Sequence, residues 1–412
     1  MRNGANHVLT LSDCHPKKFT CDSGHCIDII KRCDNIKDCE DYSDETDCVL
    51  IRVPDSYVKM ESPDTSLYAN VTIVSIHRID TLNMAMELSL NIELQWNDNR
   101  LEYANLLQKP SKTLVPLAQE EKVWNPLDNM INSAFIGKVY ETKHRRRLFV
   151  KAMTPPLPYD NTHKYEERAW SGIGNSLECS AFYRIEYECI FNLRKYPFDD
   201  QECQFEMSIK LDNNKKLQFL KIGKGIKYDV PKLVKEFEVR SVTAFTRTDN
   251  DSTSFGFTVK MTRNYMSQLI SIFFPSWLLW LLSYLTLFIN ISNFNNRFMG
   301  SITFLLVLVS LLASLNFTLP QTSYFKYIDG WFFWYVANNI AIIAYHIFID
   351  SAKVGNRRIY PENAEDKNEG KHLVELLRSY KKEEINQTVI IIYPVLTLLF
   401  NIFYFAFTTT EI

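Results

Sequence analysis

The sequence lacks an excess of charge of either sign. Its 412 residues contain 46 Lys and Arg against 48 Asp and Glu, which gives a formal net charge of −2. Nucleic-acid binding depends on basic residues that neutralise phosphates, so this balance does not support a nucleic-acid partner. The length exceeds that of one small domain, and two or three regions are expected.

The sequence also lacks the motifs of an enzyme. It contains no glycine-rich phosphate loop, no nucleophile with a partner base, and no cysteine–histidine spacing typical of a transition-metal site. His25 and His346 are isolated in the sequence and are interpreted as structural residues. No enzymatic activity is therefore expected.

Cysteine is absent after residue 203, that is, from the whole apolar part of the chain. Of the nine cysteines, six precede residue 50 and three lie between 179 and 203. Cysteines in regular pairs are typical of an oxidising compartment. Cys179 is the odd one and is expected to be a free, buried thiol. Cys189 and Cys203 flank YPFDD, and a disulfide between them would close a loop with a stabilisation of roughly 3 kcal/mol.

Residues 14–48 form a cysteine-rich segment that is too short to bury a core, so disulfides and a metal must stabilise it. Its second half, CDNIKDCEDYSDETDC, has seven acidic residues among sixteen. Carboxylates at that density repel one another unless a hard cation neutralises them, and oxygen ligands favour Ca²⁺. The alternative is a disulfide knot without metal.

The cysteine spacing and the SDE element resemble the low-density-lipoprotein receptor class A module. The resemblance implies the disulfides Cys14–Cys26, Cys21–Cys39 and Cys33–Cys48. It also implies Ca²⁺ binding by side chains and two backbone carbonyls, namely Asp34, Asp38, Asp44 and Glu45 with the carbonyls of Lys31 and Ile36. Acidic modules of this class hold a lysine of a basic ligand, so a basic extracellular protein is an expected partner. A folded spacer without a ligand is the alternative.

Residues 52–262 are expected to form an extracellular all-β, immunoglobulin-like sandwich. In AMELSLNIELQW the apolar residues alternate with mostly polar ones, as in strands that bury one face: Met86, Leu88, Leu90, Ile92, Leu94 and Trp96. Many short strands with turns between them are typical of a sandwich. The sequences NVT at Asn70 and NDS at Asn250 predict N-glycosylation if this region is extracellular.

Four apolar segments near 265–287, 298–319, 328–349 and 388–408 are each long enough to span a bilayer. The first three fall within a membrane region, 263–350, and the fourth within 388–412. The linker between them, 351–387, is expected to be cytoplasmic, because eight Lys or Arg lie between 351 and 388. Four spans then place the N-terminal domains and the C-terminus outside, in a multi-pass protein of the plasma membrane.

The second apolar segment has a stripe of small polar and apolar residues at helical spacing: Met299, Thr303, Leu306, Ser310, Ser314 and Phe317. The rest of its circumference is almost uniformly apolar. One interpretation is that Thr303 and Ser310 bridge neighbouring helices. The other is that the stripe lines a water-filled pore with Leu306 as the constriction, which requires several copies around an axis.

Together these features resemble the Cys-loop, or pentameric ligand-gated, receptors. The resemblance rests on the Cys189–Cys203 spacing around YPFD, on WNDNRL from Trp96, on WNP from Trp124, and on the pattern of spans. It implies a homopentamer in which the cysteine loop touches the membrane domain. Phe198 would insert among the span ends and Asp199 would face Arg263, so that ligand binding shifts the linker that begins at Pro320 and tilts the pore helix.

The expected ligand site departs from that family. The positions that usually carry its aromatic box are here Asn91, Ile131 and Lys210, while Phe245 and Phe255 remain as candidate aromatic walls. A conventional amine site is therefore not expected, and the agonist, a small molecule or an ion, is not identified.

The residues before the pore helix, Asn295 and Asn296, match neither the cation-selective nor the anion-selective pattern of the family. Arg297 is expected to attract anions. Two alternatives to a conducting homopentamer remain at this point: a subunit that conducts only in a hetero-pentamer or not at all, and an adhesion receptor led by the calcium module.

Overall fold

The computed structural model of the chain describes residues 12–15, 17–107, 112–129, 140–141, 146–158, 167–210, 217–231, 233–351 and 367–410. These residues form a small N-terminal module, a β-sandwich and a bundle of four long helices. The β-strands are β1 Lys18–Thr20, β2 Cys26–Asp28, β3 Ile51–Arg52, β4 Ser66–Asp80, β5 Ala85–Trp96, β6 Glu102–Ala104, β7 Lys112–Leu114, β8 Tyr140–Glu141, β9 Arg147–Lys151, β10 Ala169–Ser171, β11 Ser176–Glu188, β12 Asp200–Lys210, β13 Gln218–Tyr228, β14 Leu233–Val234, β15 Phe237–Thr248 and β16 Ser252–Arg263.

Two sheets form the sandwich. One has the order β13-β4-β5-β11-β9-β7, with β8 paired to β11, and the other has the order β12-β16-β15-β14. Neighbouring strands are antiparallel except for β13 and β4, which are parallel. Two short helices, α1 Leu117–Glu120 and α2 Pro126–Asn129, lie between strands.

The core of the sandwich lies between the sheets, where alternate residues of each long strand point inward. In β5 all six apolar residues of the alternating pattern are at most 3% exposed. Tyr187 of β11 meets Phe205 of β12 across the interface with ring centroids 5.4 Å apart, and Phe205 packs on Phe257 of β16 at 5.1 Å. Edge-to-face and tilted pairs of this kind add to the burial of apolar area.

Four helices are long and apolar enough to span a membrane: Met266–Phe288, Phe294–Thr318, Tyr327–Ser351 and Lys382–Thr408. We call them the first to fourth transmembrane helices. The fourth is part of one continuous helix, Lys367–Thr410, so the chain is already helical before the predicted start of that span at 388. The first contains a π-helical turn, Leu269–Phe273, directly before Pro275, which has no N–H to donate.

Aromatic rings hold the bundle together. Trp334 of the third transmembrane helix stacks on Phe400 of the fourth with centroids 4.3 Å apart. Trp331 packs on Phe273 of the first at 4.7 Å, and its Nε1 donates to Ser276 Oγ at 2.8 Å. The third helix is therefore fixed against both neighbours near the outer end of the bundle.

The N-terminal module has little apolar core, as its length requires. Its three disulfides join Cys14 to Cys26, Cys21 to Cys39, and Cys33 to Cys48. Arg32 replaces part of the missing core, because its guanidinium stacks on Phe19 at 4.2 Å and Nη1 and Nη2 donate to the carbonyls of Ser43 and Thr46.

The module is fixed to the sandwich at the end remote from the Cys189–Cys203 loop. That loop lies beside Met84, just before β5 begins, whereas the module joins the sheet beyond Trp96, where β5 ends. Gln119 holds the junction: its Oε1 accepts from the N–H groups of Leu50 and Ile51, each at 3.0 Å, and its Nε2 donates to Cys48 O at 3.2 Å.

We predict that Gln119→Leu loosens this junction. Two backbone N–H groups and one carbonyl lose their partner, which costs about 1–3 kcal/mol of local stability. The rate at which a protease separates the module from the sandwich should rise roughly five- to a hundredfold if cleavage follows local opening. Gln218→Leu is the control, because Gln218 makes an exposed 3.3 Å hydrogen bond to Ser66. Equal cleavage rates for the two variants would contradict the assignment.

Candidate functional site

The Cys189–Cys203 loop, residues 189–203, lies at the base of the sandwich and is closed by the disulfide. Two local hydrogen bonds shape its tip: Tyr196 N donates to Leu193 O at 3.0 Å and Phe198 N donates to Lys195 O at 2.7 Å. The peptide bond between Tyr196 and Pro197 is cis. The loop thereby turns Phe198 and Asp199 toward the helices.

Phe198 is buried among the ends of the transmembrane helices. Its ring centroid lies 5.1 Å from that of Tyr265, 6.3 Å from that of Phe273 and 6.5 Å from that of Phe405. These partners come from the first and fourth transmembrane helices and from the residue preceding the first. The loop tip is therefore packed into the membrane domain by apolar contact.

Asp199 and Arg263 form a buried ion pair. Arg263 Nε lies 2.8 Å from Asp199 Oδ1 and Nη2 lies 3.2 Å from Oδ2, and each side chain is 1% exposed. The geometry is bidentate, which is the strong arrangement for a guanidinium and a carboxylate. Gln201 Nε2 also donates to Asp199 Oδ2, and Glu236 Oε2 accepts from Arg263 Nη1 at 3.0 Å.

Arg263 is further held by aromatic rings and by its own backbone. Its guanidinium carbon lies 4.4 Å from the ring centroid of Phe237 and 4.9 Å from that of Tyr196, and Arg263 N donates to Asp199 O at 3.1 Å. Every charged group of the pair is therefore compensated, which a buried ion pair needs to be stable.

The loop also contacts the linker between the second and third transmembrane helices. Tyr324 OH accepts a hydrogen bond from Leu193 N at 2.9 Å, and Tyr327 N donates to Arg194 O at 2.9 Å. Pro320 is half-buried at the start of this linker. The sequence predicted that ligand binding shifts this linker, LPQTSYFKY, but did not identify Tyr324, because nothing in the segment distinguishes one tyrosine from the other.

The second transmembrane helix buries one face and exposes the other. The bundle-facing side consists of Arg297, Ser301, Leu308 and Leu315. Each of these lies two residues from a member of the predicted stripe, which is a rotation of about 200° around the helix. All six stripe residues are exposed on the single chain: Met299, Thr303, Leu306, Ser310, Ser314 and Phe317.

The hydroxyl groups of the stripe do not bridge helices. Thr303 Oγ1 donates to Met299 O at 2.8 Å and Ser310 Oγ donates to Val307 O at 2.7 Å, both within the same helix. The inter-helix hydroxyl is instead that of Ser301, 3.1 Å from Thr286 Oγ1. Within the described residues, neither Thr303 nor Ser310 bridges to a neighbouring helix. The first of the two interpretations of this helix is therefore not supported.

Arg297 corrects an expectation. It was expected to attract anions into a pore, but its side chain is 1% exposed and faces the bundle. Its Nη2 donates to Asn386 Oδ1 at 2.8 Å. The physical reason is its phase on the helix, since it lies opposite Met299, where the exposed stripe begins.

Those candidate ligand residues that the structure describes do not converge on one pocket within the chain. Asn91 lies on β5, where its Oδ1 accepts from Ser180 Oγ at 3.2 Å, and Lys210 is exposed at the end of β12. Ile131 lies outside the described residues. Asn91 belongs to one sheet and Lys210 to the other.

The prediction that Phe255 forms a wall of an open pocket is wrong. It is 0% exposed and packs on Phe219 inside the sandwich at 6.2 Å. Phe245 pairs in register with Gly256, the neighbour of Phe255, so the two rings lie on opposite faces of the sheet. A Cβ on Gly256 would lie 2.4 Å from Phe245 Cζ, which shows that the ring covers this glycine on the outer face.

The acidic half of the module fits a cation. Within the described residues, no three His, Cys, Asp or Glu side chains already converge on one metal position. Asp44 is nevertheless fully buried, with Oδ2 accepting from Asp38 N at 2.7 Å and Oδ1 without any partner in the described part of the chain. A buried carboxylate oxygen without a partner is costly and is the ligand type that Ca²⁺ prefers.

The other acidic side chains lie around Asp44. Glu45 Oε1 accepts from Asp34 N at 2.9 Å, and Lys31 Nζ lies 2.5 Å from Asp38 Oδ1. Burial, together with the nearby carboxylates of Asp34 and Asp44, raises the pKa of Glu45. A bound cation would neutralise the repulsion between these carboxylates and favour the ionised form of Glu45.

Two further expectations have different outcomes. Cys179 is free and buried, with Asn125 Nδ2 3.6 Å from its Sγ, and burial raises its pKa to about 11. The prediction that Asn70 is glycosylated is wrong. Asn70 is 6% exposed in β4, and its Nδ2 donates to Glu93 Oε2 at 3.0 Å. Asn250 is exposed between β15 and β16, and its glycosylation stays a prediction.

We predict that Asp199→Asn destabilises the base of the sandwich by about 3–5 kcal/mol, because it leaves the buried Arg263 without its full counter-charge. The measurement is the heat-induced unfolding of the purified receptor, with delivery to the cell surface as a second readout. Asp200→Asn is the matched control, since the adjacent Asp200 is exposed and its carboxylate accepts a hydrogen bond from Thr262 Oγ1 at 2.6 Å. A loss of stability equal to that of Asp200→Asn would contradict the role of the pair.

Comparison with known proteins agrees with this geometry. The model of the low-density lipoprotein receptor domain class A matches residues 12–48. The chain is 23% identical over 298 residues to a protein of Haemonchus contortus described as glutamate-gated chloride channel subunit beta. That alignment covers 68% of this chain and 62% of the relative, so the chain spans about three-fifths of the length of this relative.

The sandwich and the start of the first transmembrane helix match a family model as well. The model of the neurotransmitter-gated ion-channel ligand binding domain covers residues 52–270, more than half of the chain. Proteins of this family are ligand-gated ion channels and not enzymes. The chain therefore belongs to the neurotransmitter-gated ion-channel, or Cys-loop receptor, family and carries a low-density lipoprotein receptor class A domain at its N-terminal side.

Proposed function

We propose that the chain is the subunit of a homopentameric ligand-gated ion channel. The observation that carries the proposal is the exposed stripe of the second transmembrane helix, opposite a face that is buried in the bundle. Family members form pentameric assemblies in membranes. Around a common axis, five copies of the stripe would enclose a pore with Leu306 as its apolar constriction, which closes by dewetting.

Ligand binding would open this pore through the base of the sandwich. Movement of β12 or β16 displaces Asp199 and Arg263 together, because two hydrogen bonds join the carboxylate to the guanidinium. The Cys189–Cys203 loop moves with them and pulls on Tyr324 through the 2.9 Å hydrogen bond from Leu193. The linker is continuous with the second transmembrane helix, so its displacement tilts the stripe.

The ligand would bind between subunits. Asn91 and Lys210 lie on different sheets of the sandwich, which supports a site that two neighbouring subunits complete. Phe245 and Lys210 would face it from one subunit and Asn91 from the other. The relative from Haemonchus contortus, described as glutamate-gated, supports a small charged agonist, and its description as a chloride channel subunit supports an anion pathway.

The orientation in the membrane follows from charge and from disulfides. We propose that the N-terminal domains and the C-terminus lie outside the plasma membrane and that the linker between the third and fourth helices is cytoplasmic. The eight basic residues between 351 and 388 favour the cytoplasm. The four disulfides of the module and sandwich need an oxidising compartment.

We predict that Leu306→Ser gives a standing current without added ligand, because a ring of hydroxyls wets the constriction. The current is recorded from cells after surface delivery is verified. Val307→Ser is the control: Val307 is also exposed on the single chain but lies about 100° away around the helix. A surface-delivered Leu306→Ser receptor that carries no current would favour a non-conducting subunit or one that requires a partner subunit.

A second proposed function is calcium-dependent docking of a basic extracellular protein at the module. The contact of Lys31 supports this proposal, since its Nζ lies against Asp38 and near Asp34 and Asp28, so the acidic face already holds one ammonium group. We propose that Ca²⁺ bound by Asp34, Asp38, Asp44, Glu45 and the carbonyls of Lys31 and Ile36 holds these carboxylates for the lysine of a partner. Removal of Ca²⁺ should abolish binding of a lysine-rich probe peptide and leave pentamers intact, whereas undiminished binding in chelator would contradict this function.

We predict that calcium affinity at the module falls as the pH is lowered. An acid with a raised pKa, such as Glu45, holds its proton at a pH where an ordinary glutamate is ionised, and Ca²⁺ must displace that proton. Calorimetric titration of the purified receptor with Ca²⁺ measures this. Glu45→Gln should bind Ca²⁺ more weakly at neutral pH and with less dependence on pH.

Asp41→Asn is the control for that measurement. Hydrogen bonds from Ser43 lower the pKa of Asp41 to about 2, so this carboxylate stays ionised throughout the mildly acidic range. Its removal should leave the pH dependence unchanged. A pH dependence that persists in Glu45→Gln would show that another group releases the proton.

A further inference from the structure

The inner ends of the four transmembrane helices meet at one side chain, that of Asn386. Its Oδ1 accepts from Arg297 Nη2 at 2.8 Å and from Tyr345 OH at 3.0 Å, and its Nδ2 donates to Leu287 O at 3.0 Å. Leu287 belongs to the first helix, Arg297 to the second, Tyr345 to the third and Asn386 to the fourth. Asn386 is 8% exposed.

Arg297 is the unusual member of this cluster, because it is buried without a carboxylate partner in the described part of the chain. Its Nε and Nη1 have no hydrogen-bond partner among the described residues, and its guanidinium carbon lies 6.0 Å from the ring of Tyr345. The contrast with Arg263, which has two carboxylates, is direct. A buried charge with only neutral partners is costly, so the hydrogen bond to Asn386 is the main contact that retains it.

Arg297 lies close to the end of its helix. Arg297 is the fourth residue of its helix, Phe294–Thr318, in the first turn at the cytoplasmic end in the proposed orientation. Met299, two residues later, begins the exposed stripe. Arginine has a long stem that lets its head group turn toward water when that is favourable. Without Asn386, the guanidinium would therefore move to the aqueous inner mouth.

We propose that Asn386 is a positioning residue that holds Arg297 inside the bundle and so withholds one positive charge per subunit from the inner mouth of the pore. The proposal rests on the proposed pore. In a pentamer, five such charges at a narrow mouth would attract anions and repel cations. Asn386 then limits the anion preference of the channel from the fourth helix, which does not itself line the pore.

The first experiment measures reversal potentials under salt dilution in the Leu306→Ser background. Adding Asn386→Leu should shift the permeability ratio toward chloride by about tenfold, the lower end of the effect of a charged cleft on counter-ion concentration. Adding Arg297→Gln to that variant should cancel the shift. An unshifted reversal potential in Asn386→Leu at normal current would overturn the proposal.

Asn401→Leu is the matched control, since Asn401 is also on the fourth helix and also accepts from a tyrosine of the third, Tyr335 OH, at 3.0 Å. Within the described residues Asn401 makes no hydrogen bond to the second helix, so the ratio should stay at the background value. Asn386→Asp should also keep the background ratio, because a carboxylate holds the guanidinium in place. If Asn386→Leu does not fold, Asn386→Ser takes its place, since its side chain is too short to reach Arg297.

A second readout does not require conduction. Purified receptor is treated with an arginine-reactive glyoxal, and modification of Arg297 is quantified by mass spectrometry. Arg297 should be protected in the unsubstituted chain and in Asn401→Leu, and modified in Asn386→Leu or Asn386→Ser. Protection in all variants would overturn the proposal. Absent current with release of Arg297 in Asn386→Leu would instead contradict the proposed pore and leave the positioning role supported.

Discussion

The buried ion pair between Asp199 and Arg263 is the contact on which the connection between the two halves of the molecule depends. Asp199 lies in the disulfide-closed loop and Arg263 ends the last strand, directly before the first transmembrane helix. Two hydrogen bonds join the two side chains, and Glu236 accepts a further one from Arg263. The pair thereby fixes the loop tip in the position where Phe198 packs among the helix ends. Removal of one charge would leave the other without its partner in an apolar environment. The contact between sandwich and bundle would then be weakened.

Two of the buried arginines, Arg263 and Arg297, illustrate two uses of the same side chain. Arg263 has two carboxylates and two aromatic rings around it, which suits a rigid joint. Arg297 has a neutral amide oxygen and a tyrosine ring, so its position is held by less energy. Arg263 lies where the sandwich meets the first transmembrane helix, whereas Arg297 lies on the second helix at the opposite end of the bundle.

The sequence predicted those features that depend on local period or pairing. The alternation in β5 and the stripe of the second transmembrane helix follow from residue spacing, and the disulfides of the module follow from its resemblance to the low-density-lipoprotein receptor class A module. The structure places all three as expected. It did not predict Gln119, Tyr324 or Asn386, because the partners of each are distant in the chain. Asn70 and Phe255 were wrong for a related reason: a glycosylation motif and an aromatic ring are local features, whereas their burial is decided by neighbouring strands.

In the proposed pore, the exposed stripe of the second transmembrane helix faces water while the opposite face is held in the bundle. The most direct measurement compares Thr303→Cys with Ser301→Cys under a water-soluble methanethiosulfonate, each in the Leu306→Ser background. Thr303 is exposed on the stripe, whereas Ser301 is buried against Thr286. Cys179, the one unpaired cysteine among the described residues, is buried and present in both variants, so any reaction there is the same in each. The account predicts rapid modification and block at 303 with no effect at 301. Equal reactivity, or reactivity at 301 alone, would contradict it.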